Sequence, residues 1–226
     1  KRESLFYFQK NDLDTYQVEF TLKGIKPTAP IALTNGHSSY MHLNNLSKNY
    51  EHINDFDNLV IPFRCNAVNL LNGKEIIFND GSLSIALRSS SSIPSIFRPV
   101  KNKSMLLVDG GVLNNFPTDI AKRLGADIII GANVSPINKD ISDIKDVFDV
   151  LTQSILINGN KKKIDNLKLT NCIIEPEVKS FGTLDFDKGS IEKLYNEGSK
   201  AVRNKLNKLL EIKSLLNSDS NNIKLS

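Results

Sequence analysis

The run Leu106-Leu107-Val108-Asp109-Gly110-Gly111-Val112-Leu113-Asn114-Asn115-Phe116-Pro117 constrains this chain more than any other stretch. Its apolar start has the character of a buried strand, and a Gly-Gly pair directly after a carboxylate ends that strand in a tight turn. The pattern continues downstream. Pro117 suits a first helical turn, Asp119 suits the positive end of a helix dipole, Gly125 suits the residue just past a helix, and positions 128–134 are again almost wholly apolar. A strand over 105–108, a helix over 117–124 and a strand over 128–134 therefore read as a βαβ unit, with strands apolar enough for burial on both faces of a parallel sheet.

In an open parallel sheet, ligands gather at the carboxyl ends of the strands, and Asp109 falls on that edge. It is the candidate for proton transfer. Gly110 and Gly111 admit backbone angles and a close approach that a side chain would block, leaving room beside the carboxylate for another loop or a substrate. Asn114 and Asn115 are expected to tie the turn together through their amides, a supporting role shared with Pro117. Taken alone, an Asp-Gly pair would more simply cap a turn.

The remainder reads as one soluble α/β domain: 226 residues, 40% hydrophobic and 24% charged. The 29 basic and 25 acidic residues are too nearly balanced to argue for a nucleic-acid partner, while peripheral contact with a membrane surface stays open. No apolar run approaches the ~18 residues of a membrane-spanning helix, and Lys1-Arg2-Glu3 leads into a polar segment rather than a secretory leader. The chain opens on lysine, the expectation for a piece of a longer polypeptide, and its compartment is not legible. Cys65 and Cys172 lie in apolar stretches and read as small buried hydrophobes.

Residues 1–58 carry the weakest signals, a possible strand over 16–22 and a helix over 38–47. Over 63–78, two strand-like runs flank Asn72-Gly73, whose preference for positive φ predicts a tight β-hairpin. Ser82 is placed to cap a helix that Pro94 stops, and the run Ser89 to Ser92 reads as a helix end rather than a source of nucleophile. Ile144, Val147, Phe148, Leu151 and Ile155 recur at helical spacing, and Cys172-Ile173-Ile174 predicts a short buried strand. A final helix is expected over 190–216, with Ile191, Tyr195, Val202, Leu206 and Leu209 on one stripe and Lys200, Arg203, Lys205 and Lys208 mostly off it. That stripe is expected to pack on a sheet, although a basic amphipathic helix can also lie on anionic lipid.

The pattern Asp109-Gly110-Gly111-x-x-Asn114-Asn115-x-Pro117 resembles the Asp-Gly-Gly/Ala motif of the patatin-like phospholipases, and Leu124-Gly125-Ala126-Asp127 continues the likeness. Ile61-Pro62-Phe63-Arg64 and Ser92-Ile93-Pro94-Ser95-Ile96-Phe97-Arg98-Pro99 are similar to segments of bacterial members, with Ser95 where glycine is more usual. The resemblance implies an α/β, patatin-like three-layer fold with a mainly parallel sheet flanked by helices, incomplete at its N-terminal side. It would be a single domain over 1–226, with 59–216 the core of the match and 217–226 a frayed tail. It further implies a serine–aspartate dyad acting on a lipid or other ester. Asp109 would be the general base that takes the serine proton and the general acid that returns it, with no metal or organic cofactor.

The family's nucleophile sits in Gly-x-Ser-x-Gly, yet no two of the twelve glycines here are four apart. The nearest approach, Gly36-His37-Ser38-Ser39-Tyr40, ends in a bulky residue, follows no apolar strand and reads as a helix start. The resemblance therefore implies that nucleophile and oxyanion loop belong to an upstream segment of the same protein, and that this chain alone is inactive. The alternative is a non-catalytic patatin-like scaffold that binds lipid or protein. His37, His42 and His52 lie far along the chain from Asp109 and read as surface or packing residues rather than metal ligands.

Overall fold

The structure is a computed structural model that describes residues 21–23, 26–28, 32–135, 144, 147–181 and 187–223. The chain divides into two compact units, Lys1–Asn115 and Phe116–Ser226.

In the first unit, β1 (Thr21–Lys23) and β2 (Lys26–Thr28) form a short antiparallel pair, followed by helix α1 (His37–Ser47) and a single 3-10 turn at Phe56–Asn58. The rest of the expected strand over 16–22 lies outside the described residues. Next come β3 (Cys65–Asn69), β4 (Lys74–Phe78), helix α2 (Leu83–Ser90), β5 (Val100–Asn102) and β6 (Met105–Asp109). These four strands make one sheet in the order β4-β3-β6-β5. Every pairing in it is antiparallel.

The expected hairpin over 63–78 is β3–β4, but its tip is wider than an Asn-Gly turn requires. Asn69 and Lys74 form the last pair, and the Asn69 carbonyl accepts from the N–H of Gly73 at 2.8 Å. Of the loop residues, Gly73 alone takes a positive φ, 67°. Ser82 caps α2 as expected, its hydroxyl accepting from the Ile85 N–H at 3.4 Å. Glu51 adds a carboxylate at the same helix end, accepting from the Ser84 N–H at 2.7 Å, where the helix dipole favours negative charge. Leu83 and Ala86 of α2 join Phe56, Ala67, Phe78 and Leu107 in the core.

The parallel sheet and the βαβ reading of 105–134 need correction. β6 pairs antiparallel with β3 and β5, and among the described residues the strands that pair in parallel are β7 and β8 of the second unit. The apolar run was a signal of burial, not of direction. Leu107 and Val108 point to opposite faces and are 0% and 1% exposed, so both faces of this antiparallel strand are covered. The β5–β6 hairpin, turned through Lys103 at φ 53°, carries no Gly or Asn-Gly signal and was not anticipated.

The second unit holds α3 (Thr118–Arg123), β7 (Ile130–Ala132), α4 (Val147–Lys168), β8 (Cys172–Ile174), α5 (Lys188–Asn204) and α6 (Leu206–Ile223). Pro117 stands just before α3, and Gly125 follows its end at φ 91°. Asp119, in the first turn of α3, pairs with Arg123 at 3.3 Å and Lys162 at 3.1 Å. Asn166 of α4 donates to the Phe116 carbonyl at 2.7 Å, and its own carbonyl accepts from the Thr118 hydroxyl at 2.6 Å.

The expected terminal helix is two helices broken at Lys205, and the backbone of α6 continues to Ile223, beyond the start of the expected frayed tail. Four of its five stripe residues are not packed as anticipated, and the fifth, Leu209, is half-buried. Ile191, Tyr195, Val202 and Leu206 are exposed, while Ala201 and Ile212 are buried. No helix among the described residues is long and apolar enough to cross a membrane.

Candidate active site

Asp109 closes β6 opposite Ala67 of β3. Its backbone N–H donates to the Ser92 carbonyl at 2.9 Å, fastening the strand end to the turn after α2. One carboxylate oxygen, Oδ1, accepts from the Gly111 N–H at 2.7 Å. Among the described residues that is the carboxylate's one hydrogen bond, and no cation is paired with it. Burial pushes the carboxyl up from its ordinary range, and the Gly111 N–H partly opposes the rise. A half-buried carboxylate with one oxygen uncommitted is a proton acceptor of increased basicity.

The two glycines are required for space, not for backbone angle, since neither takes a positive φ. A Cβ on Gly110 would lie 2.3 Å from Asn66 Cγ and 2.5 Å from the Asn66 carbonyl oxygen. On Gly111 it would lie 2.7 Å from Asn115 Oδ1 and 3.1 Å from Asp109 Oδ1. The room beside Gly110 is therefore filled by β3 of the same unit.

Beneath the turn lies a polar cluster. Asn66 donates to Glu75 Oε1 and to the Asn114 carbonyl, each at 3.0 Å, and Asn114 donates to the same Glu75 oxygen at 2.9 Å. Asn114 is 1% exposed. A residue buried to that extent, its side-chain amide donating to Glu75 and its backbone carbonyl accepting from Asn66, rigidifies its turn. Asn66 and Glu75 were missed from sequence. The available signal was two polar residues among the apolar side chains of the hairpin strands, at positions that face the same side once the register is known.

The structure brings together Asp109, Gly110, Gly111, Asn114 and Asn115, while Pro117 belongs to the second unit. The serine run serves its helix: Ser89, Ser91 and Ser92 donate to the carbonyls of Ile85, Leu87 and Arg88, four residues back. Ser38 lies in the first turn of α1, and His37, His42 and His52 are exposed. Both cysteines are free; Cys172 is buried and Cys65 is half-buried in the sheet.

Residues 15–122 match the patatin-like phospholipase family model. This stretch is similar to the patatin-like phospholipases. The patatin-like segment begins upstream of β1, within the part of the chain with the weakest sequence signals, and ends inside α3. It takes in Asp109 and the whole turn after it.

Similar proteins are longer than this chain. The chain is 46% identical over 54 residues to an uncharacterized NTE family protein of Mycobacterium bovis, covering 24% of this chain and 9% of that protein. A second uncharacterized NTE family protein of the same organism is 34% identical over 79 residues, covering 35% of this chain and 22% of that protein. A lysophospholipase of Aspergillus fumigatus is 24% identical over 163 residues, covering 61% of this chain and 11% of that protein. The chain thus spans between 9% and 22% of the length of these relatives.

Proposed function

We propose that this chain supplies the acid/base aspartate of a serine acyl hydrolase that cleaves lipid esters. The observation that carries the reading is the Asp109 carboxylate at the end of β6, with Oδ1 on the Gly111 N–H and its second oxygen uncommitted among the described residues. In the proposed cycle a serine hydroxyl attacks the ester carbonyl carbon while Asp109 takes its proton. The tetrahedral intermediate expels the alcohol, which receives that proton from Asp109, leaving an acyl-serine. Water then attacks the acyl-serine, again giving its proton to Asp109, which returns it to the serine oxygen.

The serine is assigned to polypeptide outside this sequence, because no Gly-x-Ser-x-Gly can be written from its glycines and the hydroxyls of Ser89, Ser91 and Ser92 are bonded to their own helix. An upstream segment of the same protein is the proposed source, completing a single patatin-like domain, and the present chain alone is inactive in this reading. The family match and the lysophospholipase relative support a lipid substrate. Peripheral contact with anionic lipid is part of the proposal, supported by the exposed Ile191, Tyr195 and Val202 of α5 and Leu206 of α6 and by the basic residues that these helices carry.

The test is hydrolysis of a short-chain nitrophenyl ester and of a lysophospholipid by the complete gene product, beside its Asp109→Asn variant. Loss of about 10²-fold or more in kcat is expected from removing a general base. Equal rates in the two proteins would remove Asp109 from the chemistry.

A further inference from the structure

Arg88, in the last turn of α2, is 4% exposed. Its guanidinium donates to the Gly36 carbonyl at 3.3 Å, the Asn35 carbonyl at 3.5 Å, the Arg98 carbonyl at 3.4 Å and the Ser92 hydroxyl. It also lies 5.0 Å from the centre of the Phe97 ring. Among the described residues no carboxylate pairs with it. Gly36 takes φ 67°, and a Cβ there would come within 2.0 Å of the guanidinium, so the approach is open to glycine alone.

A buried cation held by neutral acceptors is costly compared with an apolar side chain of similar size. What the guanidinium provides instead is a planar fork whose donors reach several segments at once, which neither a lysine nor a hydrocarbon can do. Here it joins 35–36, Ser92 and Arg98. Ser92, 0% exposed, is the link onward: its hydroxyl donates to the Arg88 carbonyl at 2.6 Å and its own carbonyl accepts the Asp109 N–H at 2.9 Å. Two hydrogen bonds therefore lead from the guanidinium to the backbone of Asp109.

We propose that Arg88, acting through Ser92, is a positioning residue that sets where the Asp109 carboxylate stands; its catalytic meaning rests on the hydrolase reading above. A displacement of about 1 Å at a reacting group costs on the order of a hundredfold in rate. The Arg88–Ser92 pair holds Asp109 inside that tolerance from one side, and Gly111 holds it from the other.

The experiment compares Arg88→Gln, Arg88→Lys and the milder Ser92→Ala in the complete protein, with two readouts. The first is amide hydrogen exchange. The N–H of Asp109 and of Gly111 are expected to exchange at least about tenfold faster in each variant, while the ladder amides between β3 and β4 keep their wild-type rates. The second is steady-state kinetics: kcat falls by about tenfold to a hundredfold with KM unchanged. Unchanged exchange at Asp109 would overturn the proposal. So would a uniform acceleration over the whole sheet, which marks a general loss of stability. An inactive wild type, or full activity in Asp109→Asn, would reject the hydrolase reading instead, and the exchange readout would still decide whether Arg88 holds Asp109.

Discussion

Gly110 and Asn66 are packed so tightly that no side chain fits between them: a Cβ on the glycine would lie 2.3 Å from Asn66 Cγ. Gly110→Ala is expected to cost roughly 1–3 kcal/mol, the range for overpacking in a filled interior. Trimming Asn66 to alanine should not restore the loss, because the Asn66 backbone oxygen is also within 2.5 Å of the added carbon. Urea unfolding of the two single variants and the double variant checks both statements.

Asp109→Asn is expected to raise stability at neutral pH. Burial lifts the folded-state carboxyl above its unfolded value, so the folded chain holds the proton more tightly than the unfolded one. Stability is then greatest below the unfolded value and falls as pH rises through the window up to the folded-state value. Above that window the wild type carries a constant penalty that the neutral amide lacks. Thermal unfolding at about pH 8 should favour the variant, with the gap closing at about pH 3. A gap of the same size at both ends would contradict the assignment.

Ser95 adopts φ 70°, the left-handed region where a side chain crowds the following carbonyl. Its place in the resemblance is usually taken by glycine, and the backbone supplies the reason. Ser95→Gly is expected to stabilise the chain by about 0.5–1 kcal/mol, the steric relief exceeding the extra entropy of glycine in the unfolded state. The expected rise in Tm is roughly 1–4 °C. A fall in Tm would show that this turn gains nothing from glycine.

Cys65 is expected to be inert. Burial pushes its thiol up to about 12, against a smaller opposing contribution from a hydrogen bond with Ser90. At neutral pH its thiolate fraction falls short of that of an exposed cysteine by on the order of a thousandfold. Iodoacetamide labelling of the folded protein, read by mass spectrometry, should leave Cys65 unmodified while an unfolded control is alkylated.

The exposed side chains of Ile191, Tyr195, Val202 and Leu206 give a fifth expectation, about contacts beyond the chain. Sedimentation with vesicles containing phosphatidylserine should carry the complete protein down, and neutral phosphatidylcholine vesicles should not. Replacing Tyr195 and Leu206 by serine should weaken that binding about tenfold or more, since each removes apolar area from the bilayer interface. Equal binding to both vesicle types would exclude an electrostatic share.

The local features were legible. Ser82 announces the start of α2, Gly125 the end of α3, and Cys172-Ile173-Ile174 a strand, because each depends on a residue's own backbone preference or on a short apolar run. Strand direction was not, because an apolar run such as 106–108 looks the same whether its neighbours run with it or against it. The partners of the aspartate turn were hidden for a related reason. Asn66, Glu75 and Arg88 lie 43, 34 and 21 residues upstream of Asp109, and each becomes informative only once long-range pairing brings it to the turn. Ile191 and Tyr195 show the limit of helical spacing: a stripe can be read from sequence, but what covers it cannot.

β6 is bonded along both edges, to β3 and to β5, and Asp109 is its terminal residue. Side chains alternate along a strand, so sliding β6 by a single position would turn the carboxylate through the sheet to its opposite side. A one-residue deletion between Met105 and Val108 that shifted this register would thus turn Asp109 to the other side while leaving its motif intact on paper, and a search by motif alone would not register the change.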